Sequence, residues 1–528
     1  MLETPPPATA EPRAPARPSA SVEEYGTEAA ILPSFHVWTL GCQMNQSDSE
    51  EMAGALLAAG CEEAPDLETA ELIVINTCSI REAAENKVIG RMGSIGDLKK
   101  ADPALRVVLT GCSVRADNIE LLPRRFPAVD LFLRPDEEPE LTARLGLDGP
   151  TTPDALGAAG FERVGRSVAA TADRLPVTRA SAVEEGAIAR GGGAKAWVPI
   201  VYGCDKTCTY CIVPFARGPE RSRPFDDIVA EVGTLADAGY RELTLLGQNV
   251  NSYGHDLSPD ERFAALSSQR TLGRAQDRAG RPDIAALLRA IDAIRDADGR
   301  PGIPRVRFVT SHPWDLTERL IEAMAECESV CEHLHLPVQS GDDEVLRRMG
   351  RQYTVEAYLE LVQRLRAAVP GIALTTDVIT GFCGETDAQF ESTLELLRSV
   401  RFEQVFAAAY SERPGTPATR LPDDVPPEEK RRRLNELLGV QEDIGRELNE
   451  DWLGRRTEVL VDEARQPRSH DHEGSESQGP RLVGRNREHK LVHFDGPESM
   501  VGTLVETEIV RAGAYALSGR RIEGADHA

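Results

Sequence analysis

From residue 34 onwards, short apolar runs alternate with helix-length amphipathic runs. A chain patterned this way is confined to parallel sheets joined by helical crossovers. A first block holds FHVWTL (35–40), ELIVINTC (71–78), LRVVLTGCSV (105–114) and VDLFL (129–133). Helices are expected over SEEMAGALLAAG, with Ser47 or Asp48 as N-cap, and over residues 79–100. A second block begins near residue 196 and holds six strand-like runs, WVPIVYG, ELTLLGQN, RVRFVTSHP, EHLHLPVQSG, LTTDVITGF and QVFAAAYS. Six β/α units are too few for a closed eight-stranded barrel. An open six-stranded barrel is expected, with its reactive groups at the C-terminal ends of the strands.

The fold class is therefore α/β: an N-terminal parallel α/β domain (34–145), a central partial (β/α)6 barrel (194–425) and a small all-β barrel (451–528). Residues 426–450 read as a charged connector helix and 146–193 as a linker. Residues 1–33, rich in Pro and Ala, read as a disordered tail. The stretches 255–282 and 464–482 read as surface insertions. No apolar run is long enough to cross a bilayer and the N-terminus has no apolar signal core, so a cytoplasmic protein with no membrane partner is expected. The formal charge of −26 argues against wholesale nucleic-acid binding but leaves room for a local basic path.

Ten cysteines are too sparse for a disulfide scaffold. Three of them, Cys204, Cys208 and Cys211, are spaced C-x3-C-x2-C directly after the first barrel strand. A structural zinc site would close its coordination with a fourth Cys or His, and none follows at close range. A 4Fe–4S cluster held by three thiolates keeps one iron open to a substrate or cofactor. Zinc or inert thiols are the competing readings. Cys42, Cys78 and Cys112 each follow a predicted strand, and in a parallel sheet such ends share one edge, so the three thiols could hold a second cluster. The competing reading is buried free cysteines, the role expected for Cys61, Cys327, Cys331 and Cys383.

Other strand-end loops carry polar tips. Gly247, Gln248 and Asn249 end ELTLLGQN, Gln339 and Ser340 lie in HLPVQSG, and Asp377 lies in TTDVITGF. They are candidates for a cofactor-pocket wall. Arg217, Arg221 and Arg223 form a local basic patch, and Arg485, Arg487 and Lys490 a second one in the small barrel. Both are candidate RNA contacts, weighed against ordinary solvated charge. HPWDL (312–316) and the scattered histidines read as structural or surface residues.

GCQMNQSDSE, NTCSIREAAENKV, YGCDKTCTYCIVPFARGPERSR, LLGQNVNSYG, HLPVQSG and YSERPGTPA together resemble the methylthiotransferase family of radical S-adenosylmethionine (SAM) enzymes, nearest its MiaB branch. The resemblance covers roughly residues 34–520. It departs at TGFCGET, with Cys383 where the family usually has Pro, and at GCSVR, which replaces GC-x-A-Q. The resemblance implies a radical SAM core, a C-terminal TRAM barrel, two 4Fe–4S clusters and SAM, the last used both as radical source and as methyl donor. No side chain beyond the cluster ligands is implied as catalytic. Gly247, Gln248 and Asn249 would meet the amino group of SAM. The implied substrate is N6-isopentenyladenosine at position 37 of tRNA, methylthiolated at C2. The implied partners are that tRNA, a reductant such as flavodoxin or ferredoxin, and a sulfur donor. The alternatives are a sister enzyme acting on threonylcarbamoyl-adenosine tRNA or ribosomal protein S12, and a non-catalytic iron–sulfur RNA-binding protein.

Overall fold

A computed structural model of the chain describes residues 32–78, 82–147, 188, 194–266, 269–270, 275–276, 280–465 and 480–522. Residues 1–31 of the tail read at 1–33, and most of the 146–193 and 464–482 stretches, lie outside the described residues.

The first block is a parallel five-stranded sheet of β1 (Ser34–Leu40), β2 (Glu62–Glu63), β3 (Leu72–Thr77), β4 (Arg106–Thr110) and β5 (Leu131–Phe132). The order is β2-β1-β3-β4-β5. β3 is buried at every position, which is why LIVINT reads as a continuous apolar run rather than an alternating one. The winding direction reverses between β1 and β3, and in open α/β sheets that crevice is where ligands bind. Helix α1 (Gln43–Ala58) leaves β1 and helix α2 (Glu82–Ala101) follows β3. α1 starts earlier than its polar residues suggest. Cys42 is the N-cap, and its backbone N–H donates to Asn45 Oδ1. Ser47 and Asp48 lie inside the helix and are buried. The first turns of α1 face inward, where Asn45 donates to Asn76 and Ser49 accepts from Thr39.

The second block contributes β6 (Lys195–Pro199), an antiparallel ribbon of β7 (Val201–Tyr202) and β8 (Arg221–Ser222), β9 (Glu242–Leu246), a two-residue hairpin of β10 (Gln269–Arg270) and β11 (Ala275–Gln276), β12 (Arg305–Phe308), β13 (His333–His335), β14 (Ala373–Thr380) and β15 (Gln404–Ala409). The parallel strands run β6-β9-β12 and β13-β14-β15, and the two sheets are joined where Val306 pairs with Val330. One hydrophobic core fills the space between them and their helices, with Val198, Leu245, Val306, Leu334 and Leu397 fully buried. The helix Pro427–Glu450 covers β15, and its polar inner face is bonded rather than solvated. Arg433 pairs with Glu385 at 2.9 Å and Gln441 donates to the Phe402 carbonyl at 3.0 Å.

β16 (Arg456–Arg465), β17 (Arg481–Arg485), β18 (Leu491–Asp495), β19 (Leu504–Ala512) and β20 (Leu517–Arg521) close into a barrel in the order β16-β17-β18-β20-β19. Its β17–β18 turn docks on the open barrel. Arg305, fully buried, donates to the carbonyls of Arg485 and Glu458, and Arg307 donates to those of Asn486 and Arg487.

Candidate active site

Three adjacent strands set the first group of thiols. Cys42 follows β1, Cys78 follows β3 and Cys112 follows β4. The register pairs Leu40 with Thr77 and Asn76 with Thr110, so the polypeptide leaves all three strands at one edge. Cys42 and Cys78 flank the crevice where the sheet reverses. Backbone bonds hold the edge: Cys78 N–H donates to the Leu40 carbonyl at 2.9 Å. Gly111 has φ +90°, and a Cβ there would collide with the Thr77 carbonyl oxygen. Cys78 and Cys112 are almost fully buried.

The second group lies on the loop between β7 and the short helix Val213–Arg217. Gly203, at φ +73°, begins the loop against the Pro219 carbonyl, where no side chain fits. Cys204 N–H donates to the Gly218 carbonyl at 3.2 Å and Cys211 N–H to that of Cys208 at 3.1 Å. Thr209 N–H donates to the Met349 carbonyl, and Gly350, in the left-handed region, packs under Thr207.

Both groups open on one cavity of about 420 Å³, lined by Cys42, Cys78, Cys112, Cys204, Cys208 and Cys211. Gly247, Gln248, Asn249, Gln339 and Asp377 line it too, whereas Ser340 does not. Ser340 is fully buried in a turn, where its hydroxyl accepts from Asp342 N–H. Asn249 is committed to the scaffold, its amide donating to Asp315 at 2.6 Å and its carbonyl oxygen accepting from His312 N–H. Gln248 differs: its Oε1 is buried in the cavity wall with no partner among the described residues. An orphaned acceptor of this kind suits a cationic ammonium. Asp377 faces His335 Nε2 at 3.4 Å.

Burial pushes the Cys112, Cys204 and Cys211 thiols up to about 12; Arg217 pulls Cys112 the other way, and the neighbouring thiols add to the rise. Metal binding here would release protons. Among the described residues, no three His, Cys, Asp or Glu side chains are grouped so as to hold a single metal ion. In a cluster each thiolate binds a different iron, and all-sulfur donor sets suit iron–sulfur chemistry. Two cysteine triplets on one cavity fit two such clusters.

Most of the basic side chains singled out as RNA candidates are engaged inside the protein. Arg217 is buried and pairs with Asp48 at 2.5 Å. Arg223 is buried against Asp227 and Glu231. Arg487 pairs with Glu332 at 2.8 Å, Arg485 donates to the His489 carbonyl, and Lys490 is held by Glu403 and Asn449. Arg217, Arg487 and Lys490 thus bond to residues distant in sequence, whereas Arg223 and Arg485 are held by near neighbours in the chain. Arg221, Arg485 and Arg487 are half-buried, and of the six only Arg221, on β8, has a buried Nε with no partner among the described residues.

Several cavity residues were not singled out in the sequence. His312 Nδ1 accepts from Trp314 N–H at 3.2 Å, which leaves the proton on Nε2, 3.9 Å from Cys208 Sγ. Burial, together with the Arg351 and Lys206 cations, holds this imidazole well below its usual range, so it is neutral. Arg351 donates to the same sulfur at 3.7 Å, and Lys206 pairs with Asp315 at 2.6 Å. Opposite them, His489 from the small barrel stacks on His333 at 4.6 Å, and the half-exposed Phe406 meets His335 edge-on. Thr310, Gln339 and His489 are non-glycine residues with positive φ, and all three line the cavity. Backbone held in that region clusters at functional sites. The strand-end rule that picked out GQN applies equally to the end of RVRFVTSHP, and it would have found His312.

The profile of the radical SAM superfamily matches residues 198–397, and that of an uncharacterized protein family, UPF0004, matches residues 34–134. The barrel, its cysteine loop and these matches define a radical SAM enzyme. The chain is 42% identical to the tRNA-2-methylthio-N(6)-dimethylallyladenosine synthase of Carboxydothermus hydrogenoformans, over 92% of this chain and 98% of that one. It is 41% identical to the synthase of the same name from Anoxybacillus flavithermus, over 93% of this chain and 83% of that one. The chain belongs to this family of radical SAM methylthiotransferases. Its cofactors are SAM and 4Fe–4S clusters. Among solved structures, a radical SAM methyltransferase from Kitasatospora setae overlaps it with a TM-score of 0.49 and 16% identity, over 73% of this chain and 76% of that one. No helix among the described residues is long and apolar enough to cross a membrane.

Proposed function

We propose that this enzyme methylthiolates C2 of N6-isopentenyladenosine at position 37 of tRNA, in the cytoplasm. One observation carries the reading: six cysteines, three from each of two units far apart in sequence, open on a single cavity. When bound, the clusters and SAM supply the electron, the radical, and the sulfur and methyl groups of the reaction. The chain's own part is to hold them and to exclude water. Cys204, Cys208 and Cys211 would ligate the cluster that binds SAM, and Cys42, Cys78 and Cys112 the cluster that carries the sulfur. Gln248 would accept from the SAM ammonium. His312 and Arg351 direct N–H groups at Cys208, the kind of outer-shell contact that orients and tunes a metal ligand. The nucleobase must leave its stack to reach the cavity, and Phe406, aromatic and half-exposed on its wall, offers a stacking surface.

The implied domain division, 34–145, 194–425, 426–450 and 451–528, gives each unit a separate role. In chain order these are the second cluster, the radical chemistry, the connection and the tRNA contact. Of the basic candidates, Arg221 is the one still suited to phosphate. The reductant would be a flavodoxin or ferredoxin, and a separate donor would renew the sulfur.

Anaerobic reconstitution followed by assay on isopentenylated tRNA tests the reading. About eight irons per chain and a 2-methylthio product are expected. Product on threonylcarbamoyl-adenosine tRNA or on ribosomal protein S12, with none on isopentenylated tRNA, would overturn the substrate.

A further inference from the structure

Arg217 sits where two cysteine groups meet. It ends the helix Val213–Arg217, six residues after Cys211, and is only 7% exposed. Its Nε–H donates to Cys112 Sγ at 3.2 Å, and its Nη2 pairs with Asp48 at 2.5 Å. Asp48 is itself buried on α1, the helix whose N-cap is Cys42. One side chain thus ties the helix that follows the barrel triplet to two of the three elements that present the N-terminal triplet. Arg223, from the same segment and also buried, pairs instead with Asp227 and Glu231 of the helix that follows it.

We propose that Arg217 is a positioning residue that sets the reduction potential of the cluster held by Cys42, Cys78 and Cys112, with Asp48 as its counterweight. The proposal rests on the assignment of that triplet to a second cluster. A thiolate-ligated cluster gains negative charge on reduction. Hydrogen bonds to its sulfurs and nearby charge are therefore main determinants of its potential. In a water-poor site a cation in direct contact with one ligand acts strongly. Arg217 supplies both the cation and the N–H donor, and favours the reduced state. Asp48 holds the guanidinium in place and offsets part of its charge. An arginine fits this role better than a lysine, because its planar fork donates to sulfur and carboxylate at the same time.

The test uses the full-length chain with Cys204, Cys208 and Cys211 replaced by Ala, so that only the second cluster assembles, reconstituted with iron and sulfide. Its midpoint potential is measured by dithionite titration followed by electron paramagnetic resonance, alongside the iron count. Arg217→Gln is expected to lower the potential by about 59 mV, a tenfold loss in the one-electron reduction equilibrium. Asp48→Asn is expected to raise it, and Arg217→Lys to fall between Arg217→Gln and the parent. Opposite signs for Arg217→Gln and Asp48→Asn are the signature, because an ion pair that served packing alone would leave the potential where it was. If Arg217→Gln fails to take up iron, the Arg217→Lys and Asp48→Asn shifts decide. Unchanged potentials in fully loaded variants overturn the proposal. A parent that binds no iron overturns the cluster assignment itself, and is told apart by its iron count.

Discussion

The two cysteine triplets reach the same cavity by opposite routes. Cys204, Cys208 and Cys211 lie within eight residues on one loop, and local backbone bonds fix their spacing. Cys42, Cys78 and Cys112 span seventy-one residues and meet only because β1, β3 and β4 are neighbours in a parallel sheet. The first group is built by a loop and the second by a topology. The loop group has two partly buried cysteines, Cys208 and Cys211, and the sheet group one, Cys42, whereas Cys78 and Cys112 are closed in by the edge that presents them. A loop tolerates a replaced neighbour better than a sheet edge does, since the edge is shared by three strands.

The largest expected effect separates the groups by chemistry. Cys208→Ala should abolish reductive cleavage of SAM, measured as 5′-deoxyadenosine formed with dithionite, and should halve the iron content. Cys78→Ala should leave cleavage within a few-fold of the parent while stopping methylthiolation of tRNA; product from this variant would remove the second triplet from the reaction. Next come the two glycines beneath the groups. Gly203→Ala and Gly111→Ala each force a side chain into a backbone oxygen at positive φ, at a cost of about 1–3 kcal/mol in strain. Iron counts should show Gly203→Ala depleting the barrel cluster and Gly111→Ala the other. Equal depletion of both clusters by either change would mean that the groups are not built independently. The smallest effect concerns neither triplet directly. Gln248→Ala removes the orphaned acceptor in the cavity wall and should raise the KM for SAM about tenfold, the worth of one hydrogen bond to a charged group. A KM left unchanged would place the SAM ammonium elsewhere.

Reading the sequence found the thiols more readily than their surroundings. Strand ends are visible as apolar runs that stop at a polar turn, so the positions of Cys42, Cys78 and Cys112 could be inferred together. Arginine gives no such signal. Arg217, Arg223, Arg487 and Lys490 looked like surface charge, and each is neutralised inside the protein by a residue distant in sequence or one turn away. Burial of a charge requires a partner, and the partner of Arg217 lies 169 residues earlier. His489 was equally hidden. It reaches the cavity only because the β17–β18 turn of one domain plugs the open side of another.

By itself the sequence determined the α/β order, the six-stranded barrel, the small all-β C-terminal barrel and the positions of the two sets of cysteines, because periodicity and local spacing are written residue by residue. Only the tertiary structure decided which charges are internal, which histidines and aromatics face the thiols, and that Arg217 bonds to Cys112. Those pairings depend on domains docking, and docking brings together residues that no local pattern relates.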